Sequence, residues 1–191
     1  MIRDTGVSQA IGARASGRAC EAATLRPVVV KIGGAAMTEK GAVLRLAKDV
    51  AALAARGVPM VVVHGGGPEI SLRMEAAGLP VSFKDGRRVT SDAALAIVRA
   101  VLFEEHNPAL VAALGEQGID AVGLAGDRAG LVVAEVVDPA LGLVGEVRQI
   151  DGDALSTHLA AGRTPVICSL GQDGSGRTLN INADLVAASV A

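Results

Sequence analysis

Five consecutive residues, His64-Gly65-Gly66-Gly67-Pro68, form the stretch of this chain best suited to bind an anion. A run of valines precedes them and a helical pattern follows, which predicts a strand, a glycine loop and a helix start. Backbone N–H groups at glycines approach a ligand closely, and the helix adds about half a positive charge. The loop therefore predicts a site for a phosphate or carboxylate. A tight turn that binds nothing is the alternative.

The better-known functions of glycine loops do not fit this one. A dinucleotide fingerprint requires Gly-x-Gly-x-x-Gly, and a Walker loop ends in Gly-Lys followed by Ser or Thr. The oxyanion loop of an esterase needs a Gly-x-Ser-x-Gly elbow, which the sequence lacks. Other segments must therefore decide what the loop binds.

Three charged residues occupy positions from which they would reach a ligand. Lys31 ends an apolar strand beside Gly33 and Gly34, as a phosphate-binding lysine does. Arg88 would bind a carboxylate through two hydrogen bonds, and Asp184 at a helix start would hold an ammonium group. The alternatives are a lysine that reaches solvent from a strand end, a surface arginine and an aspartate that only stabilises its helix.

A predicted βαβ unit brings the first two of these motifs together. Residues 27–32 and 59–63 are apolar and β-branched, and a helix between them is expected to begin at Thr38 and end at Gly57. Such a crossover implies parallel strands, whose ligands bind beyond their carboxyl ends. Lys31 and the His64 loop are thus expected at the same edge of the sheet.

The later elements alternate between helices and short strands. A hairpin around Asp85-Gly86 places Arg88 on a strand, and Ser91 caps a helix that is expected to end at His106, where Asn107-Pro108 starts another. The chain stops within a predicted helix, so we expect the natural domain to continue. The remaining predicted elements are an antiparallel patch of strands at 120–125, 130–136 and 144–150, a helix at 153–161, a strand at 164–170, a loop at 171–177 and a helix at 185–191.

Composition restricts the class of partner. Half of the 191 residues are apolar, there are two Phe and no Trp or Tyr, and the net charge is −2, which argues against nucleic acid. Cys20 and Cys168 are too few and too distant for a zinc site or a disulfide framework, and indicate a reduced, cytoplasmic protein. No apolar run approaches the ~20 residues that span a bilayer. Residues 1–26 predict a mobile extension, or an oligomerising arm.

The order of four motifs raises the odds of function above any single one. Lys-x-Gly-Gly at 31–34, His-Gly-Gly-Gly-Pro at 64–68, Gly-Arg-Arg-Val-Thr at 86–90 and Asn-Ile-Asn-Ala-Asp at 180–184 follow one another along an α/β chain. This combination resembles the amino acid kinase family, and within it the N-acetyl-L-glutamate kinases, from about Val28 to Ala191. The resemblance implies a three-layer αβα sandwich with a mainly parallel central sheet, truncated at its C-terminus.

The same resemblance implies a reaction and a role for each site residue. The γ-phosphoryl group of ATP, carried with Mg²⁺ and with no metal held by the protein, would pass to the side-chain carboxylate of N-acetyl-L-glutamate. Lys31 would neutralise the phosphoryl group, Asp184 would orient the lysine, and Arg88 and Asn180 would hold the α-carboxylate. The glycines that would supply backbone donors are Gly33, Gly34, Gly65 and Gly66.

One departure from the family pattern concerns the nucleotide. Family members continue into a half that carries the adenine pocket and a second catalytic lysine, so residues 27–191 resemble the substrate-binding half. The resemblance also implies a homodimer or higher homo-oligomer in the full-length form. A non-catalytic fragment that binds N-acetylglutamate or serves a regulatory role is the alternative.

Overall fold

A four-stranded parallel sheet is the centre of the protein, as seen in a computed structural model that describes residues 26–39 and 41–191. The predicted extension at residues 1–26 lies outside these residues except for Arg26. Neighbouring strands follow the order β1, β2, β8, β5, and each pair is parallel. Their bounds are Val28–Ile32 for β1, Met60–His64 for β2, Ala121–Ala125 for β5 and Thr164–Cys168 for β8.

Helices cover both faces of this sheet. On one face α2 and α5 pack against β2 through a core that includes Val50, Leu110 and Val62. On the other face Leu155 of α6 and Val186 of α7 pack against Val61 and Val63 of β2. The helices are α1 Gly34–Thr38, α2 Ala42–Ala54, α3 Gly67–Ala76, α4 Asp92–Arg99, α5 Asn107–Gly115, α6 Gly152–Ala160 and α7 Ala183–Val190. The expected three-layer α/β sandwich is therefore confirmed.

Two smaller β structures flank the sheet. A hairpin of β3 and β4 pairs Phe83 with Arg88, and it confirms that Arg88 lies on a strand. Four other strands close into a small barrel beside the sheet, and a 3₁₀ turn at Pro139–Leu141 precedes one of them. The strands are β3 Phe83–Lys84, β4 Arg87–Arg88, β6 Val132–Glu135, β7 Val144–Ile150, β9 Leu170–Gln172 and β10 Thr178–Ile181.

Two strand predictions are wrong. The segment at 120–125 is not antiparallel, because β5 lies parallel to β8 at an edge of the central sheet. The predicted strand at 164–170 divides at Ser169, and β9 then pairs antiparallel with β10 in the barrel. The predicted loop at 171–177 accordingly begins as a strand and is a turn only after Gln172.

Two predicted helix starts are also wrong. Thr38 ends the short helix α1 and its hydroxyl donates to the carbonyl of Ala35, while α2 begins after Gly41, whose φ is +77°. Asn107 has helical backbone angles and continues the preceding helix instead of capping a new one.

A π-helical segment, Ala100–His106, joins α4 to α5 and accounts for the second of these errors. The N–H of Asn107 donates to the carbonyl of Leu102, five residues back. Pro108 has no N–H to donate and its ring crowds the carbonyl four residues earlier, so a widened turn just before it keeps the helix continuous. No helix in the described part of the chain is long and apolar enough to cross a bilayer.

Candidate functional site

A cavity of about 240 Å³ lies beyond the carboxyl ends of β1 and β2. Side chains and backbone from the predicted site line it, and they come from β1, α1, the loop after β2, the hairpin, β10 and α7. The predicted residues in its wall are Lys31, Gly34, Gly65, Gly66, Arg88, Asn180 and Asp184. Gly33 is not part of this wall but lies next to Lys31. An added Cβ atom on Gly33 would be 3.8 Å from Nζ of Lys31.

The two glycine loops pack directly on each other. A Cβ atom on Gly34 would lie 2.5 Å from the nitrogen of Gly67, and one on Gly65 would lie 3.4 Å from Cβ of Ala183. Any side chain at Gly34 would therefore push the loops apart. The N–H of Gly65 donates to the carbonyl of Ile32 at 3.1 Å, which continues the pairing of β1 with β2. Gly65 thus contributes to the wall while its N–H is occupied.

The guanidinium of Arg88 is anchored under the helix that follows the glycine loop. Its Nη2 donates to the carbonyl of Gly67 at 2.9 Å and to Oγ of Ser71 at 2.8 Å. The guanidinium also stacks on the ring of Phe83, 4.7 Å from its centroid. These contacts hold the group in one orientation at the cavity wall.

The positive charge of Arg88 has no carboxylate partner among residues 26–39 and 41–191. The residue is only 6% exposed, and burial lowers the pKa of its guanidinium. An arginine side chain stays charged in proteins, and here only neutral acceptors and the ring of Phe83 contact the charge. The neighbouring Arg87 differs, since its Nη1 lies 2.7 Å from Oε1 of Glu146.

Lys31 and Asp184 form an ion pair at the other side of the cavity. Nζ of Lys31 lies 3.0 Å from Oδ1 of Asp184, and their side chains are 35% and 69% exposed. Oδ1 of Asn182 accepts a hydrogen bond from the N–H of Asp184 at 2.7 Å and caps α7. The cap fixes the start of the helix, and Asp184 in its first turn faces Lys31.

Asn180 connects the barrel to the hairpin side of the cavity. Its Nδ2 donates to Oγ1 of Thr90 at 3.1 Å, and that hydroxyl donates to the carbonyl of Arg88 at 2.9 Å. The predicted pair of Arg88 and Asn180 is therefore linked through one threonine. Three cationic side chains line the cavity; Arg87 is paired with Glu146, and the other two, Lys31 and Arg88, suit a ligand with two anionic groups.

Three polar residues around the site, the buried His64 and Asn107 and the half-buried Ser71, were not among the predicted site residues. Ser71 lies four residues after Gly67 on the same helix face, and its Oγ accepts a hydrogen bond from Arg88. His64 is 0% exposed, and burial lowers the pKa of its imidazole to about 4. Asn107 is 2% exposed and faces His64, but its position before a proline favoured a helix cap.

The described residues do not assemble a metal site from their own side chains. No three His, Cys, Asp or Glu side chains within 26–39 and 41–191 lie close enough to share an ion. Cys168 is buried and unpaired, and desolvation raises the pKa of its thiol to about 12.

Comparison with known proteins identifies the family of the chain. The profile described as "Amino acid kinase family" matches residues 26–191. The chain belongs to the amino acid kinase family. The acetylglutamate kinase of a Nocardioides species is 42% identical over 171 residues, and that of Geobacillus stearothermophilus is 41% identical over 167 residues. The chain spans 55% and 64% of the lengths of these two relatives, and they match 86% and 87% of it.

Solved structures share the amino acid kinase fold. The protein smu.665 of Streptococcus mutans superposes with a TM-score of 0.77 at 33% identity, and the match covers 86% of this chain and 66% of that one. An N-acetylglutamate synthase of Neisseria gonorrhoeae, complexed with coenzyme A and N-acetyl-glutamate, gives 0.73 at 27% identity and is covered for 38% of its length. A carbamate kinase of Giardia, at 15% identity and 0.58, shares the fold alone.

Proposed function

We propose that residues 27–191 are the substrate-binding portion of an acetylglutamate kinase and that the cavity binds N-acetyl-L-glutamate. The observation that carries this proposal is Arg88, a buried guanidinium that lines the cavity and has no carboxylate partner in the described chain. A carboxylate-bearing ligand supplies that partner. The similarity to acetylglutamate kinases at about 40% identity supports the choice of ligand.

The two ends of the ligand would then be held by different parts of the cavity. Arg88 holds the α-carboxylate through the N–H groups that its contacts with Gly67 and Ser71 leave free, and Asn180 donates to it beside Thr90. The side-chain carboxylate lies beside the backbone of Gly34 and Gly66, and Lys31 faces the phosphoryl group that this carboxylate receives. Gly33 would add a backbone donor next to Lys31, since an added Cβ atom there would lie 3.8 Å from Nζ of Lys31.

The proposed reaction requires stabilisation of the charge on the transferred group and does not require a general base. ATP, bound with Mg²⁺, supplies the γ-phosphoryl group, whose phosphorus accepts a new bond from the carboxylate oxygen while its bond to ADP breaks. An ionised carboxylate has no proton to lose, so positioning and electrostatics suffice. Lys31 neutralises the transferred group and Asp184, 3.0 Å away, orients the ammonium. The full-length enzyme acts as a homo-oligomer in the cytoplasm under this proposal.

A second candidate function is binding without catalysis. The synthase of Neisseria gonorrhoeae shows that this fold also occurs in a protein with a different named activity, and the present chain spans only 55% to 64% of the kinases described above. Residues 27–191 would then sense N-acetylglutamate or regulate a partner. Both candidates require the same contact between Arg88 and a ligand carboxylate. They are distinguished by whether the full-length protein consumes ATP.

Replacing Arg88 tests the contact that both candidates share. Arg88→Lys replaces the planar guanidinium with an ammonium group. It should weaken N-acetyl-L-glutamate binding by ~1.5 to 3 kcal/mol, measured by titration calorimetry. Arg87→Lys is the control, since a lysine still reaches Glu146 and binding should change little. Equal losses for the two variants would contradict the assignment of Arg88.

A further inference from the structure

His64 is buried directly beneath the glycine loop. It is the last residue of β2 and is 0% exposed. It lies two residues after Val62 on the same face of the strand, so it faces the layer of α5. Its Nδ1 lies 3.3 Å from the carbonyl oxygen of Gly65, and its Nε2 lies 3.1 Å from Nδ2 of Asn107. Both ring nitrogens therefore have a defined neighbour.

The neighbours of Asn107 determine which ring nitrogen of His64 carries the proton. Nδ2 of Asn107 also lies 2.9 Å from the carbonyl oxygen of Val166, which only accepts hydrogen bonds. The atom that faces Val166 must be the amide nitrogen, and its second hydrogen then points at Nε2. Nε2 accepts that hydrogen bond, so the proton of the neutral imidazole lies on Nδ1 and is donated to Gly65.

This hydrogen bond fixes the direction of one peptide group in the cavity wall. The carbonyl of Gly65 and the N–H of Gly66 belong to the same peptide plane, and in a trans peptide they point in opposite directions. The carbonyl points inward to His64, so the N–H of Gly66 points outward, on the cavity side. Behind Gly66, Nδ1 of His106 and Cδ2 of Leu102 would each lie 2.9 Å from an added Cβ atom, which closes the inner side of the loop.

We propose that His64 is a positioning residue: as the Nδ1-protonated tautomer selected by Asn107, it directs the N–H of Gly66 at the bound anion. This inference rests on the proposed function, because the anion is the side-chain carboxylate of the ligand or the phosphoryl group beside it. Without the donor on Nδ1, the carbonyl of Gly65 keeps only the ring of His106 beside it, so the Gly65–Gly66 peptide is held less firmly and its N–H is no longer fixed on the cavity side. A histidine that only fills the core would act the same whichever nitrogen is protonated.

The wild-type chain tests the tautomer without any substitution. In a chain labelled with ¹⁵N at histidine, two-bond ¹H–¹⁵N spectra at pH 7 should show a protonated Nδ1 and an unprotonated Nε2 for His64. Resonances are assigned by their loss in His64→Asn. An Nε2-protonated His64 overturns the inference.

Two substitutions at His64 separate the two ring positions. The amide nitrogen of asparagine takes the place of Nδ1, and that of glutamine takes the place of Nε2. His64→Asn should keep the affinity for N-acetyl-L-glutamate within ~3-fold of wild type, while His64→Gln should lose ~10-fold or more. His158→Gln on α6, outside the cavity, is the matched control and should bind as wild type does.

Both variants are measured below their melting temperatures, and the amide resonance of Gly66 is followed during titration. It should shift with ligand in wild type and His64→Asn but not in His64→Gln. Equal affinities for His64→Asn and His64→Gln overturn the inference alone. A wild-type chain in which Gly66 responds to inorganic phosphate and not to N-acetyl-L-glutamate supports the inference with the phosphoryl group as the anion, and it overturns the proposed substrate when calorimetry also finds no binding of N-acetyl-L-glutamate. No response of Gly66 to either anion overturns both.

Discussion

At the scale of single residues, Arg88 and Lys31 of the cavity differ in how their positive charges are balanced. Arg88 is 6% exposed and has hydrogen bonds to a carbonyl and a hydroxyl, whereas Lys31 is partly exposed and has an ion pair with Asp184. Exposed pairs contribute little to stability, but a buried charge without a counterion is costly. Ligand binding should therefore relieve Arg88 more than Lys31.

Replacing Lys31 should affect ligand binding and hardly affect stability. Its pair with Asp184 is solvated, so Lys31→Met should change the free energy of unfolding by less than about 1 kcal/mol. The same variant should bind inorganic phosphate at least ~10-fold more weakly, because a charged hydrogen bond is lost, while its N-acetyl-L-glutamate affinity stays similar. Lys48→Met, on the exposed side of α2, is the control. Unchanged phosphate binding would show that Lys31 only closes a strand end.

The titration of His64 should make the protein less stable in acid. Its pKa is about 4 in the folded protein and about 6.5 when unfolded, so the unfolded chain binds more protons between these values. The free energy of unfolding should fall by up to about 3 kcal/mol as the pH drops from 6.5 to 4, with no effect of this group above pH 7. The free energy of unfolding, measured by urea denaturation, should depend less steeply on pH in His64→Asn than in the wild type. Burial also lowers the pKa of His106, which accounts for the slope that remains.

At the scale of elements, close contact between the loops after β1 and β2 builds the floor of the cavity. Gly34→Ala would place a methyl group 2.5 Å from the backbone nitrogen of Gly67, and it should destabilise the protein by ~1 to 3 kcal/mol or more. Gly33→Ala should be nearly neutral, because the extended backbone there suits alanine and the nearest atom is 3.8 Å away. Urea unfolding of the two variants checks this, and equal losses would contradict the packing of the loops.

Element types followed from sequence patterns more reliably than their boundaries did. The valine runs predicted β1 and β2, and the Asp-Gly turn predicted the hairpin, since each signal is local. The pairing of β5 was not local: its partner β8 lies some 40 residues later, so only the assembled sheet makes it parallel. Pro108 gave the usual sign of a helix start, and the π-helical segment that accommodates it has no sequence signature of its own.

At the scale of the whole molecule, the site is made by parallel strands that end at one edge. That rule brought Lys31 and the His64 loop together from the sequence alone, and the structure adds Arg88, Asn180 and Asp184 to the same cavity. The supporting contacts of Ser71 and Asn107 were not predictable, because they depend on how α3 and α5 pack on the sheet.

The chain by itself should bind its substrate better than it phosphorylates it. It spans 55% to 64% of the acetylglutamate kinases that it resembles, and the described cavity supplies one lysine for the transferred group. Aligning the γ-phosphate with the carboxylate requires contacts on both sides. Purified chain with ATP, Mg²⁺ and N-acetyl-L-glutamate should yield no acyl phosphate above background when hydroxylamine traps it. Sustained, ATP-dependent hydroxamate would show that ATP binds within residues 1–191.

The ion pair between Lys31 and Asp184 also has a consequence during synthesis. Lys31 lies on β1, the first strand described, and Asp184 lies on α7, the last helix. The ribosome must therefore release almost all of this chain before the cavity exists. A nascent chain that has completed β1, β2 and their glycine loops cannot use substrate to stabilise them. Early folding has to rely on aliphatic packing, and the substrate can stabilise the cavity only after α7 has been synthesised.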